Sequence, residues 1–215
     1  MQFLCDEFHG DAYAYLSPWV SRVMTGREDS FVPFFVPRLE SAENLRNQLK
    51  IPATARVFGR HGGWDTFNIP FVRAGVAEHA RRHPEDHFVF LNTEPIQGTQ
   101  GLANVHYLPA TVDAKEKARF LATCDAMLHA RWHGETFGLA VGEFAVLGKP
   151  VITFGGSRER AHLEMLGEGI LNYHDLRSCQ KILEKFETRK TGPTGYELWT
   201  DASKVMALFK ERFLD

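Results

Sequence analysis

From residue 51 onward, short continuous apolar runs alternate with longer stretches whose apolar residues recur every three to four positions. The runs cover residues 55–59, 88–91, 105–108, 126–130, 151–154 and 170–173. Because they are continuous, they are typical of strands buried on both faces. The helical stretches cover residues 68–82, 113–123, 137–147, 160–166, 176–186 and 202–213. This alternation predicts an α/β fold: a parallel sheet of about six strands, flanked by helices and joined by right-handed crossovers.

The composition is that of an ordinary globular domain. The chain has 215 residues, of which 44% are hydrophobic and 24% are charged. This excludes a disordered chain and a disulfide-stapled miniprotein, and the length argues against two full-sized lobes. The net charge of −2 provides no strong field for nucleic acid or an anionic membrane, so neither partner is expected.

The cysteines and the N-terminal residues indicate the cellular compartment in which the protein is expected. Cys5, Cys124 and Cys179 are an odd, widely spaced set, typical of reduced thiols, and Cys124 has the apolar neighbours of a core residue. The first residues show no basic segment followed by an apolar run, and no stretch approaches the roughly 18 apolar residues of a membrane span. We therefore expect a cytoplasmic protein without signal peptide or transmembrane segment.

Functional residues are expected in the loops that follow the strands, because open parallel sheets bind ligands at the carboxyl ends of their strands. The segment 131–143 is the richest of these loops. Glu135 lies in a turn, and Glu143 lies eight residues later inside the following helix. We expect Thr136 to cap this helix and Gly138 to expose first-turn amides, which bind phosphate. Glu135 would repel a phosphate and suits hydroxyl groups better. The alternative is structural, with one glutamate at a helix start and one on a solvated face.

Other residues give weaker predictions. His129 and His133 span a strand-to-loop junction, so no metal site is expected from them. Residues 59–63 do not form a GxGxxG pattern, so no nicotinamide cofactor is expected. His162 and Glu164 are expected on a solvated helix face.

Residues 124–152 resemble the retaining glycosyltransferases of the GT-B fold, family four. The family carries two glutamates separated by seven residues, and Glu135 and Glu143 match that pair. The neighbouring Phe-Gly-Leu of 137–139 and Gly-Lys-Pro-Val of 148–151 match as well.

The resemblance also extends upstream, and altogether it covers about residues 32–173. Residues 51–63 look like the family's first strand and glycine-rich turn. The fold implied is a single Rossmann-like GT-B lobe that binds the nucleotide sugar.

By this resemblance, three side chains acquire roles. Arg60 would face the donor diphosphate, Glu135 would contact the transferred sugar, and Glu143 would accept hydrogen bonds from the ribose hydroxyls.

The resemblance also implies backbone contacts with the donor. The glycine turn at Gly62 and Gly63 would lie against it, and the amides of Phe137, Gly138 and Leu139 would hold its phosphates.

One departure concerns the diphosphate. The family usually has a lysine about six residues after the arginine, where this chain has Thr66 and no lysine before Lys115. Losing such an electrostatic stabiliser costs on the order of 10²–10³ in rate. Arg131 and Arg158, in loops at the carboxyl edge, are the candidates to replace it.

The second departure is in size, because a GT-B enzyme has two lobes. We expect residues 1–48 to be a stub with the interlobe crossover, residues 49–190 the donor-binding lobe and residues 191–215 a C-terminal helix. Six aromatic residues of the stub are expected to pack on the lobe, on a second lobe or on a second copy of the chain: Phe3, Phe8, Trp19, Phe31, Phe34 and Phe35.

The resemblance implies transfer of a hexose from a nucleoside diphosphate sugar, with retention of configuration and without a further cofactor or metal. In that mechanism the leaving diphosphate deprotonates the acceptor hydroxyl, so no protein base is required. The alternative is a non-catalytic lobe that binds a nucleotide sugar or a partner. An epimerase or phosphorylase of the same architecture lacks supporting motifs.

Overall fold

A parallel six-stranded sheet forms the centre of the molecule. The computed structural model describes residues 10 and 12–214. In chain order the strands are β1 (Val57–His61), β2 (His87–Leu91), β3 (Val105–Leu108), β4 (Ala126–Leu128), β5 (Gly134–Glu135), β6 (Val151–Phe154), β7 (Glu159–Arg160) and β8 (Leu171–Tyr173). The sheet order is β3-β2-β1-β4-β6-β8, all parallel, while β5 and β7 pair separately. The predicted α/β fold is confirmed.

The direction of the chain across the sheet reverses at β1. The chain first proceeds outward from β1 to β2 and β3, then returns to β4 on the other side of β1 and continues to β6 and β8. The carboxyl ends of β1 and β4 therefore flank the topological switch point, where open α/β sheets bind ligands.

The helices that follow β1 form where the apolar spacing predicts them, whereas the spacing does not predict the helix before β1. They are α1 (Pro18–Thr25), α2 (Pro70–Arg82), α3 (Ala114–Thr123), α4 (Leu139–Ala145), α5 (Ala161–Leu166), α6 (Leu176–Glu184) and α7 (Ala202–Phe213), with 3-10 turns at Gly167–Gly169 and Gly195–Trp199. Asp113 caps α3, accepting a 2.7 Å hydrogen bond from the Lys115 amide. No described helix combines the length and apolarity needed to cross a membrane.

The start of α4 differs from the prediction. The helix begins at Leu139, and its cap residue is Gly138 rather than Thr136. Gly138 has a φ of 83°, in the left-handed region that glycine adopts at no steric cost. The turn after Glu135 therefore enters the helix through a backbone conformation that a threonine cap does not provide.

Both faces of the sheet are apolar because alternate residues of each strand point to opposite sides. One face contributes to a core with residues of α3 and α4, through Val57, Val89, Met127 and Val151. The other contributes to a core with residues of α2 and α6, through Phe58, Phe88, Ala126 and Ile152. This double burial explains the continuous apolar runs.

The segment before β1 is hydrogen-bonded to the sheet lobe. Ser17 caps α1 and also donates a 2.6 Å hydrogen bond to the Thr136 carbonyl. The Val36 amide donates to the Trp199 carbonyl at 2.9 Å. The segment is thus hydrogen-bonded to the lobe both at the start of α1 and in the extended stretch around Val36.

The predicted packing of the aromatic residues before β1 holds for some of them. Trp19 is buried, and Phe31 packs edge-on against Trp199. Phe34 and Phe35 are 40% and 42% exposed, although Phe34 contacts Phe137. Phe3 and Phe8 lie outside the described residues.

Candidate functional site

A cavity of about 720 Å³ opens at the switch point, beside the carboxyl ends of β1 and β4. Its lining includes seven of the eight predicted site residues: Arg60, Gly62, Gly63, Glu135, Phe137, Gly138 and Leu139. Within the described part of the chain, Glu143 does not line this cavity. The structure thus brings together at one cavity most of the residues that the sequence singles out.

The Glu135 carboxylate is held by two side chains at the cavity wall. Its Oε1 lies 3.1 Å from His129 Nε2, and its Oε2 accepts a 2.7 Å hydrogen bond from Arg131. Burial alone would raise the pKa of Glu135, but these two partners outweigh burial and lower it below the ordinary value. Glu135 is therefore an oriented carboxylate, suited to accepting hydrogen bonds from ligand hydroxyls.

His129 belongs to a buried chain of hydrogen bonds that begins at Glu135. Its Nδ1 lies 2.8 Å from Thr153 Oγ1, which in turn lies 3.2 Å from His162 Nε2. His162 is fully buried, and burial with the nearby charge of His129 lowers its pKa well below the ordinary value. The expected solvated position of His162 is thus wrong, because α5 turns this side chain toward β6, while Glu164 is exposed as expected.

These contacts give His129 one partner at each ring nitrogen. Its Nε2–H donates to the ionised Glu135, and its Nδ1 faces the Thr153 hydroxyl. The sequence signal for this role is weak, since His129 merely ends a buried apolar run.

The loop that carries Glu135 is bound to the loop after β6. Gly134 and Glu135 of β5 pair with Glu159 and Arg160 of β7, and the Glu159 amide donates a 2.7 Å hydrogen bond to the His133 carbonyl. Gly134 has a φ of 80°, and a Cβ there would lie 2.0 Å from the Glu159 carbonyl oxygen. Only glycine allows the two backbones to approach this closely.

Glu159 is a cavity residue that the sequence reasoning missed. It is 7% exposed, and burial raises the pKa of its carboxyl group despite the opposing charge of Arg131. The only available signal is its position directly after the glycine-containing loop that follows β6.

Arg60 reaches the cavity but is 3% exposed and strongly engaged. One terminal nitrogen donates to the Asn92 carbonyl at 3.0 Å and to Thr93 at 2.5 Å. The other donates to the Gly63 carbonyl at 2.7 Å and to Thr66 at 2.5 Å. Burial lowers the pKa of Arg60 to about 10.

The turn at Gly62 and Gly63 is therefore held by its hydrogen bond to the Arg60 guanidinium. Gly62 is held from the neighbouring strand, since its carbonyl accepts a 2.8 Å hydrogen bond from the Asn92 side chain. Thr66, at the position of the expected lysine, is a partner of the Arg60 guanidinium and not a second positive charge.

Glu143 lies behind the cavity wall and is 1% exposed. Its Oε1 accepts a 2.8 Å hydrogen bond from Lys117 Nζ of α3, and its Oε2 lies 3.0 Å from His61 Nε2 at the end of β1. Burial opposes ionisation, but His61 and Lys117 outweigh it and lower the pKa of Glu143. The solvated-face alternative is wrong for this glutamate, and its partner His61 lines the cavity.

The opening of α4 faces the cavity at Gly138 and Leu139, while the Phe137 side chain is buried. The Tyr196 hydroxyl donates a 2.6 Å hydrogen bond to the Phe137 carbonyl. The 3-10 turn before α7 thus fixes the backbone at the helix start.

Other titratable residues lie outside this site. Cys124 is buried, and burial raises the pKa of its thiol to about 12, so it is a core residue as expected. Among the described residues, His83, Glu85 and Asp86 bring potential metal ligands within 4.8 Å of one another. Asp86 is already paired with Arg56 and His79, which argues against a cation there.

The fold is similar to that of several solved structures. HepE from Anabaena, solved with UDP and glucose, gives a TM-score of 0.57 at 17% identity, over 93% of this chain and 58% of its own. The pneumococcal O-GlcNAc transferase GtfA, solved with UDP and GlcNAc, gives 0.53 at 11% identity, over 89% and 40%. A putative UDP-N-acetylglucosamine 2-epimerase from Listeria monocytogenes gives 0.51 at 16% identity, over 81% and 50%. No protein-family model matches the chain, and no curated protein is significantly similar in sequence.

The fold is that of a single GT-B lobe. The chain spans between 40% and 58% of the length of these three structures. In this GT-B lobe the cavity lies at the switch point, and both Glu135 and the glycine turn line it.

Proposed function

We propose that this chain is the donor-binding lobe of a retaining glycosyltransferase that transfers a hexose from a nucleoside diphosphate sugar. The observation that supports this most is the placement of Glu135. Its carboxylate is oriented by His129 and Arg131 and lies in the same cavity as the glycine-capped opening of α4. A fixed carboxylate binds sugar hydroxyls, and an open helix start suits a phosphate.

In this proposal different lining residues bind different parts of the donor. Glu135 accepts from hydroxyls of the transferred sugar, and the amides at Gly138 and Leu139 hold the phosphates beside the glycine turn. Glu143 acts on the ribose through His61, which lies 3.0 Å from its carboxylate and lines the cavity. The protein acts in the cytoplasm, with an acceptor surface from a second lobe or a second copy.

A second candidate is a lobe that binds a nucleotide sugar without turning it over. The environment of Arg60 favours it, because both terminal nitrogens already have protein acceptors and Thr66 adds no charge. Such a lobe would bind the donor but stabilise no leaving diphosphate.

Ligand screening followed by donor hydrolysis tests both candidates. Thermal unfolding is measured with UDP, GDP and ADP and their hexose conjugates, and a ligand at 100 times its Kd adds about 2.7 kcal/mol to the unfolding free energy. A transferase also releases free sugar from the stabilising donor. Stabilisation without release favours the binding lobe, and no stabilisation by any of them contradicts both candidates.

A further inference from the structure

Three arginines line the cavity, and the structure distinguishes them by the partners of their guanidinium groups. Arg60 uses both terminal nitrogens on protein oxygens of the glycine turn and the end of β2. Its buried group holds the turn in place. An incoming anion would have to compete with four existing hydrogen bonds.

Arg131 is also engaged. Its guanidinium donates a 2.7 Å hydrogen bond to Glu135 and thereby orients that carboxylate. An anion that drew Arg131 away would leave Glu135 with His129 alone and would face the negative charge of Glu135 directly. Arg131 is therefore poorly placed to act as an anion ligand.

Arg158 differs from both. It is exposed at the cavity, and its guanidinium makes no hydrogen bond or ion pair with any residue in the described part of the chain. Its charge partly opposes the rise in the pKa of the neighbouring Glu159 that burial causes, without a direct ion pair.

The backbone around Arg158 is nevertheless fixed. Ser157 Oγ lies 3.1 Å from the Phe154 carbonyl oxygen and 3.4 Å from that of Arg131. On the other side, the Glu159 amide donates to the His133 carbonyl at 2.7 Å. The loop that carries Arg158 is therefore anchored on both sides of this residue. Fixing Arg158 on a ligand loses less conformational entropy than fixing an arginine on a free loop.

We propose that Arg158 binds the diphosphate of the donor and supplies the positive charge that Thr66 does not; this rests on the proposed function. A guanidinium presents a planar set of donors that matches two phosphate oxygens at once. Arg60 then maintains the turn, Arg131 maintains Glu135, and Arg158 contacts the ligand.

Calorimetric titration with inorganic pyrophosphate, and with the nucleoside diphosphate that stabilises the protein most, tests this assignment. We expect Arg158→Gln to weaken binding of both ligands about tenfold or more, as for a lost charge-assisted contact. Arg158→Lys should recover part of that loss, and Arg131→Gln should weaken pyrophosphate less than Arg158→Gln does. The matched control is Arg177→Gln, an exposed arginine on α6, which should bind both ligands like the wild type. Circular dichroism and thermal unfolding verify that each variant is folded.

The outcomes separate this assignment from the proposed function. If Arg158→Gln binds pyrophosphate as the wild type does, or if Arg131→Gln has the larger effect, the assignment is wrong, whereas nucleotide-sugar binding would still support the transferase. If Arg158→Gln loses pyrophosphate but no nucleotide sugar binds the wild type, the anion site stands and the transferase proposal fails. If the wild type binds neither pyrophosphate nor any nucleotide, both are overturned.

Discussion

Two glutamates that the sequence places eight residues apart occupy unlike environments. Glu143 is buried between Lys117 and His61, whereas Glu135 is 18% exposed at the cavity. We expect Glu143→Gln to lower the unfolding free energy by about 1–3 kcal/mol, because it leaves the Lys117 ammonium without its charged partner. Urea denaturation measures this change. The exposed Glu187→Gln is the control, expected within about 0.5 kcal/mol of the wild type, and an equal effect in both variants would contradict the structural role.

Glu135 should instead control ligand recognition. Glu135→Gln keeps the size of the side chain but loses the charge that, under the proposed function, receives hydrogen bonds from sugar hydroxyls. We expect calorimetry to show nearly unchanged binding of the nucleoside diphosphate, with weaker binding of the nucleotide sugar and less turnover. A similar loss for the free nucleotide would mean that Glu135 does not contact the sugar.

The histidine pair between β2 and β3 makes stability depend on pH. His106 lies 3.0 Å from His87, and burial with the charge of His87 lowers the pKa of His106 from 6.5 to about 4. Between these values the unfolded chain binds a proton that the folded chain does not, so stability is complete above pH 6.5 and falls as the pH drops toward 4. Denaturant titrations at several pH values should show a smaller acid loss for His106→Gln. Parallel pH dependences in the two proteins would contradict this assignment.

At the scale of the elements, the close packing of α4 against the 3-10 turn before α7 requires a glycine at position 142. A Cβ at Gly142 would lie 2.6 Å from the buried Tyr196 ring. We expect Gly142→Ala to lower the unfolding free energy by about 1–3 kcal/mol through overpacking. Chemical denaturation measures it, and Gly192→Ala, with no atom within 4 Å of the new Cβ, is the matched control. Equal stability of the two variants would show that Tyr196 yields without cost.

The strands of the six-stranded sheet and the helices after β1 were predictable because they depend on local periodicity and on burial of both sheet faces. The start of α4 was not, since the left-handed φ of Gly138 depends on how the turn meets the Tyr196 hydroxyl from a distant segment. Burial of His162 was missed for a related reason: a short helix carries too few residues to show which side faces the sheet.

The sequence predicts where the site lies but not which side chains pair with its charged residues. Strand order places Arg60 and Glu135 at one sheet edge, which the alternation of elements already implies. Whether Arg60 faces a ligand or the protein depends on Asn92, Thr93 and Thr66, three residues with no distinctive pattern. The same holds for Lys117, which reaches Glu143 from another helix.

At the scale of the whole molecule, α7 and the segment around Phe34 each expose large apolar residues. Phe209 and Phe213 are 39% and 40% exposed and contact each other. Such a surface is typical of an interface. We expect light scattering to show self-association of the chain, reduced in the double variant Phe209→Ser, Phe213→Ser. The double variant Phe34→Ser, Phe35→Ser tests the segment before β1 separately, and a strictly monomeric wild type would contradict the expectation for both surfaces.

The pairing of β5 with β7 has a consequence for changing what this lobe recognises. Gly134 faces the carbonyl of Glu159 without space for a side chain, and β5 pairs with β7. The position of the loop after β4 therefore depends on that of the loop after β6. Grafting either loop alone from another lobe would break that register and displace Glu135 and Arg158 together. A change in what this cavity binds therefore requires the two loops to be exchanged together.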